Sequence, residues 1–412
     1  MILIARGFCR ADAPDMTGSV LRHRWFIIAI IFLARTTMAM QFQSIAPVAP
    51  LVVADLGITY AQLGLLIGLY LLPGTVLALP GGLLGQRFGN RRVALCGLAL
   101  MVIGGFVTAS SHSLWPVRGG RLLSGAGGVL LNLILAKMTA EWFAGKEIST
   151  AMSIMLISWP FGIGLGATLF GAVGAVSSWR FVQHVAATLA AGAFVLVAIL
   201  GRDAPGVGAT GTSLRFLPNL SPRAWALTLT AGAAWMLFNV SFIVVVGFGP
   251  GLLQARGATL GHAGFLVSLA IWISTIAVPL GGAVVDRTRR PNLAVVLGCL
   301  LTAGAIMAMP LIGPPVVWLL LGGVVAGLAP GALMALVPGT VPPQQLSAAL
   351  GLFYAIFYLG MAVMQPLAGL LRDVTGSPAA PLFFAAAAMV LTVVALSAFR
   401  WIERVRLPTR RG

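Results

Sequence analysis

Apolar runs of about 20 residues recur along the whole 412-residue chain, and charged residues are nearly confined to the gaps between them. A helix rises about 1.5 Å per residue, so each run is long enough to cross the roughly 30 Å hydrocarbon core of a bilayer. Soluble domains carry about 25% charged residues. This chain has 8%, too few to cover a water-facing surface. The pattern predicts an all-α membrane protein with twelve transmembrane helices, at 24–46, 61–83, 93–112, 116–138, 148–170, 179–200, 224–247, 262–283, 293–312, 316–338, 346–368 and 380–400. The 51 glycines and 24 prolines fit such spans, where small residues let helices approach closely.

A net charge of +17 raises the question of a nucleic-acid surface. Its distribution argues otherwise. With the N-terminus inside, 20 of the 26 Lys and Arg residues fall on inside segments, while outside ends hold only Arg180, Arg256 and Arg372. That asymmetry is the positive-inside rule, so both termini are expected in the cytoplasm of a bacterial-type inner (plasma) membrane, with no nucleic-acid partner. Cys9, Cys96 and Cys299 lack CxxC spacing and the four histidines are scattered, so no metal site or cofactor is expected. Residues 1–15 are polar and irregular, Met16 offers a shorter start, and no cleavable signal peptide is evident.

The chain repeats itself. A shift of 200 aligns Pro50 with Pro250, Gly57 with Gly257, Thr59 with Thr259, Gly64 with Gly264, Gly81 and Gly82 with Gly281 and Gly282, and Arg87 with Arg287. A shift of 198 aligns Ser149 with Ser347, Gly162 with Gly360 and Gly171 with Gly369. Two pseudo-symmetric six-helix bundles follow, at 21–200 and 224–400. They are joined by a Gly/Pro/Ser/Thr-rich cytoplasmic linker at 201–223 and flanked by tails at 1–20 and 401–412.

Between the second and third spans lies "GGLLGQRFGNRR", in which Gly82, Leu84, Arg87, Gly89, Arg91 and Arg92 match the G-x-L-A-D-R-x-G-R-K loop of major facilitator transporters. Gln86 stands where that family has aspartate. A degenerate second copy, "GGAVVDRTRR", keeps Asp286 and Arg287, and "RLLSGAG" from Arg121 resembles the family's R-x-x-x-G-x-G pattern. The resemblance covers about 20–400 and implies the major facilitator fold. Within it, "EWFAGKE", "SWPFGIGLG" and "FGPGLLQARG" look most similar to the cyanate and nitroimidazole permease group. The loop arginines can pair with carboxylates or helix C-termini and form a latch that breaks as the halves rock, or they can serve only topology and hairpin geometry. The resemblance implies a coupling or structural role for Arg121.

Arg35 sits near the centre of the first span, where an arginine costs about 2.5–3.5 kcal/mol even on the lenient insertion scale. Thr36, Ala39 and Gln43 share its arc of roughly a quarter turn. All nine acidic residues fall in tails, loops or span ends, so no intramembrane carboxylate is at hand to neutralise it. Three readings stand: Arg35 binds an anionic substrate, it bonds only backbone and water, or it compensates charge during coupling. Further ligand candidates are Tyr70, Asn132, Ser158, Asn239, Ser241, Trp272, Tyr354, Tyr358 and Gln365, each also able to act as interhelical glue. Trp159-Pro160 marks a kink.

Neither a nucleophile elbow, an HExxH motif nor a P-loop is present, which argues against an enzyme and against nucleotide-driven transport. The expected function is secondary transport of a small anionic solute by alternating access, by a monomer whose partners are that solute and the bilayer. Efflux of amphiphilic drug-like compounds is the alternative, and a transporter-like nutrient sensor a more distant one.

Overall fold

A computed structural model describes residues 16–78, 81–143, 147–204 and 220–404. Residues 1–15 of the tail expected at 1–20, most of the linker (205–219), the end of the chain (405–412) and the Gln86 side chain lie outside the described residues, while residues 16–20 already belong to the first helix.

Helices follow the apolar runs. The first half comprises α1 (Met16–Gln43), α2 (Ala49–Leu56), α3 (Tyr60–Leu69), α4 (Gly74–Leu77), α5 (Gly81–Phe88), α6 (Asn90–Ser110), α7 (Leu114–Trp142), α8 (Ile148–Val176) and α9 (Trp179–Leu200). The second half comprises α10 (Pro222–Ala255), α11 (Leu260–Thr288), α12 (Pro291–Ala308), α13 (Pro315–Ala326), α14 (Pro330–Met334), α15 (Pro343–Thr375) and α16 (Ala380–Arg404). Among the described residues eleven helical stretches are long and apolar enough to cross a membrane, and α13 is a shorter apolar helix. The expected tenth span is thus split: α13 ends at Ala326 and α14 restarts at Pro330, whose missing N–H cannot continue the ladder. The second span breaks likewise before α4, where Pro73 precedes Gly74.

The sequence repeat reappears as repeated backbone geometry. Thr59 caps α3 by accepting the Gln62 amide at 3.3 Å, and Thr259 caps α11 by accepting the His262 amide at 3.3 Å. Gly57 and Gly257, two residues earlier, both have positive φ, +60° and +90°. Gly89 (+86°) and Arg289 (+53°) match at the same shift of 200, although Arg289 has lost the glycine that makes this geometry easy.

Two seams join the halves, α3 against α15 and α8 against α11. Between apolar helices in lipid, backbone proximity has to come from small residues. An added Cβ at Gly64 would collide with the Gln365 carbonyl, at Gly68 with that of Ala362, and at Gly369 with that of Tyr60. The Ala362 carbonyl is the one that Pro366 leaves without an intrahelical donor. In the other seam Gly264 lies on the Ala167 carbonyl, and Thr168 donates to Ser268 at 2.7 Å. Both seams are tight from the end carrying Tyr60 and Asp373 to mid-span, where Gly74 makes room for the Tyr358 ring and Gly164 for the Trp272 indole. One apolar core runs across both halves; a second is confined to α1 and α6–α9.

Candidate functional site

Arg35 is 7% exposed, and α8 supplies much of its surroundings. Pro160 has no N–H, so the Leu156 carbonyl four residues earlier lacks its usual intrahelical donor. Arg35 fills the gap. Its Nη1 donates to the carbonyls of Met155 (2.5 Å) and Leu156 (3.2 Å) and to Ser158 Oγ (3.4 Å). Its Nε donates to Asn132 Oδ1 at 2.9 Å. The other end of Asn132 donates from Nδ2 to the Tyr358 hydroxyl at 3.3 Å, reaching across to the second half. No hydrogen-bond partner of Nη2 occurs among the described residues. The guanidinium is therefore fixed by two of its nitrogens and has one edge left to offer.

Aromatic rings wall the second-half side. Tyr358 packs edge-on to Phe357 (5.0 Å), Tyr354 lies edge-on to Phe353 and Phe357, and Trp235 stacks on Phe353 at 6.3 Å. Phe353, Phe357 and Trp235 join the candidates of the sequence reading. The i,i+4 repetition of Phe353/Phe357 beside Tyr354/Tyr358 was the available signal.

The other sequence candidates separate into groups. Thr36 Oγ1, Gln43 Nε2, Ser241 Oγ and Trp272 Nε1 are buried with no hydrogen-bond partner among the described residues. Asn239 turns back on its own helix and donates to the Trp235 carbonyl at 2.8 Å. Tyr70 belongs to a different arginine: its ring lies 4.8 Å under the Arg121 guanidinium, and its hydroxyl donates to the Met38 carbonyl at 3.2 Å.

Arg121 is 1% exposed. It donates from Nη1 to the Gln41 carbonyl (2.9 Å), from Nη2 to the Phe42 carbonyl (3.1 Å) and from Nε to the Leu66 carbonyl (3.0 Å). The first two are end carbonyls of α1, which carry partial negative charge, so the cation meets the helix dipole; the Gln41 carbonyl also accepts from Ser44 Oγ at 2.8 Å. Arg121 thus staples the ends of α1 and α3 within the first half.

The loop from Gly82 to Arg92 is likewise engaged with its own half. The Arg91 amide donates to Asp203 at 2.8 Å, and its guanidinium to the Ala198 carbonyl. Asn90 bonds Glu141 (2.5 Å) and accepts from Lys137 (3.0 Å). Arg87 is exposed beside Phe88. Asp286 and Arg287 are exposed and make no hydrogen bond or ion pair among the described residues. A cavity of about 410 Å³ lined by Asp286, Arg400 and Glu403 lies in the second half; Arg35 does not line it. Among the described residues no group of His, Cys, Asp and Glu is arranged to hold a metal ion.

Two repeated helical halves, closed on each other at one end around a buried, half-satisfied arginine, define a polytopic membrane transporter. The family model of the Major Facilitator Superfamily matches residues 31–319 and 224–412, and the chain belongs to that family. It is a transporter and not an enzyme. Its relatives include the lysosomal dipeptide transporter MFSD1 of Danio rerio, 28% identical over 93% of this chain and 88% of that protein. The 2-nitroimidazole transporter of Escherichia coli K12 is 25% identical over 90% of this chain and 95% of its own length, in line with the permease-group motifs. Among solved structures, a mutant form of the nucleoside transporter NupG superposes with a TM-score of 0.75 at 15% identity, covering 90% of this chain and 99% of that one; this likeness concerns the fold.

Proposed function

We propose that this chain is a secondary transporter that moves a small anionic solute by alternating access, with Arg35 as the anion anchor. The observation that carries the reading is the unpaired Nη2 edge of a mid-span arginine whose other nitrogens are already held. Full positive charge in a span is costly, and backbone carbonyls offset it only in part. An anion arriving at Nη2 would complete both the charge and the hydrogen bonding. The buried, unpartnered polar atoms of Thr36, Gln43, Ser241 and Trp272 support the same reading, because each costs about 1–3 kcal/mol until water or a ligand meets it. The relatives named above carry dipeptide, nitroimidazole and nucleoside in their names, so the charge of the cargo rests on Arg35 alone.

The distribution of Lys and Arg supports an orientation with the Gly82–Arg92 loop and both termini in the cytoplasm of a bacterial-type inner membrane. In that orientation the seams are closed outside, and the loop residues Arg87, Arg91, Arg92, Asp286 and Arg287 make no hydrogen bond or ion pair to the opposite half among the described residues, which fits a released inner latch that engages when the halves rock. We take the working unit to be the monomer, because both halves of the site come from one chain.

A second reading, export of amphiphilic compounds, is favoured by the aromatic wall of Trp235, Phe353, Tyr354 and Phe357. Uptake into proteoliposomes separates the two. Small anions should be moved by the wild type and not by Arg35→Ala. Transport of neutral or cationic amphiphiles that is indifferent to Arg35→Ala would establish the export reading instead.

A further inference from the structure

At the end of the molecule where the seams are closed, α15 terminates beside the start of α3. Asp373, in the last turn of α15, accepts the backbone N–H of Tyr60 at 2.9 Å and that of Ala61 at 2.7 Å. These are the first two residues of α3, whose amides have no intrahelical acceptor. The next amide, Gln62, donates to Thr59 Oγ1 at 3.3 Å, and Gln62 Oε1 in turn accepts from the Thr59 amide at 3.2 Å. Helix α3 is therefore capped twice: by a capping box from its own half and by a carboxylate 313 residues away in the other half. The neighbouring Arg372 guanidinium lies 3.5 Å from the centre of the Tyr60 ring. Gly369, one turn back, brings the α15 backbone against the Tyr60 carbonyl.

We propose that Asp373 is the latch of the outer gate: a charge-to-helix-end clasp that holds the extracytoplasmic seam shut and must break each time the transporter opens outward. The inference rests on the alternating-access reading and its orientation. Three physical features make this contact a latch and not ordinary packing. The bonds are charge-assisted, and the carboxylate meets the positive end of a helix dipole. The contact joins the halves directly, so it cannot survive their separation. When it breaks, the amides of Tyr60 and Ala61 and the Asp373 carboxylate reach water at the membrane surface. Thr59 continues to hold the helix end, so α3 does not fray. The clasp can thus open and re-form without unfolding the helix it grips. Arg372 over Tyr60 adds a second, weaker contact in the same place, of cation–π type.

The test reads opening of the outer seam without reference to any substrate. In protein with Cys9, Cys96 and Cys299 replaced by serine or alanine, Ser268→Cys places a thiol in the α8–α11 seam, where Ser268 is fully buried against Thr168. Labelling by a membrane-impermeant maleimide added outside reports exposure of that seam. Asp373→Ala should raise the labelling rate about tenfold, which corresponds to about 1.4 kcal/mol of lost closure. Asp373→Asn keeps the shape without the charge and should fall between. Thr59→Ala removes only the own-half cap and should leave the rate near that of the parent. Equal rates in parent and Asp373→Ala would overturn the latch, as would a Thr59→Ala rate matching that of Asp373→Ala, which would reduce the effect to helix-end stability. A thiol that reacts from neither face in any variant would overturn alternating access itself. None of these outcomes depends on the charge of the solute.

Discussion

Asn132 and Tyr358, 226 residues apart, are joined by a 3.3 Å hydrogen bond that crosses between the two halves, while the opposite end of Asn132 accepts from Arg35. One amide thus ties the mid-span cation to both halves. Its acceptor faces the guanidinium and its donor faces the phenol, an assignment fixed by Arg35 having no acceptor of its own. Any group that neutralises Arg35 acts on a network that spans the moving interface.

Asn132→Asp places a carboxylate at the one side chain that already meets Arg35 Nε. The internal ion pair then competes with an external anion. Anion uptake should fall at least about tenfold, whereas Asn132→Ala, which adds no charge, should lower it only a few-fold. Initial uptake rates in proteoliposomes for the two variants decide it; an aspartate as active as the parent would mean that no anion needs the charge of Arg35.

Arg35→Lys tests geometry. A lysine has a single nitrogen to spread over Asn132, the α8 carbonyls and a ligand, whereas the guanidinium divides these tasks among three. Anion transport should drop about 100-fold in kcat/KM, close to Arg35→Ala, equivalent to about 2.7 kcal/mol. Near-normal lysine activity would show that a point charge suffices.

Pro160→Ala restores an N–H that can claim the Leu156 carbonyl within α8. Arg35 then loses one acceptor but keeps Asn132 and Met155. The expected outcome is an unchanged fold, seen as unchanged helix content by circular dichroism, with KM altered by a few-fold and little change in kcat.

Gly68→Ala drives a methyl group into the Ala362 carbonyl, a backbone atom that cannot swing aside. The α3–α15 seam cannot then close fully. The variant should populate the outward-open form, label faster at Ser268→Cys from outside, and turn over slowly at normal surface expression. Gly119→Ala, where an added Cβ meets nothing within 4 Å, is the matched control and should behave as the parent.

Features fixed by local chemistry were readable along the chain. The 200-residue shift paired Gly57 with Gly257 and Thr59 with Thr259, and each pair has the same local geometry, a positive φ and a helix cap, because these follow from neighbours within a turn or two. Arg35 stood out because burial of charge in an apolar run is costly wherever the helix packs. Its partners did not stand out. Pro160 was legible as a kink, but that its freed carbonyl would meet Arg35 depends on α1 lying against α8. Tyr70 shows the reverse error of position: its depth matched Arg35, yet packing gave it to Arg121.

The sequence by itself determined a twelve-run, twice-repeated membrane chain with a lone arginine at mid-depth, because hydrophobic length, charge exclusion and turn chemistry act over one or two helical turns. The tertiary structure decided which end is closed, that Asn132 spans the halves, that two nitrogens of Arg35 are already taken, and that Asp373 caps a helix of the opposite half. Those outcomes join residues 97 to 313 positions apart, and helix packing in lipid is set by small residues and backbone contact, with no hydrophobic pattern to read it from.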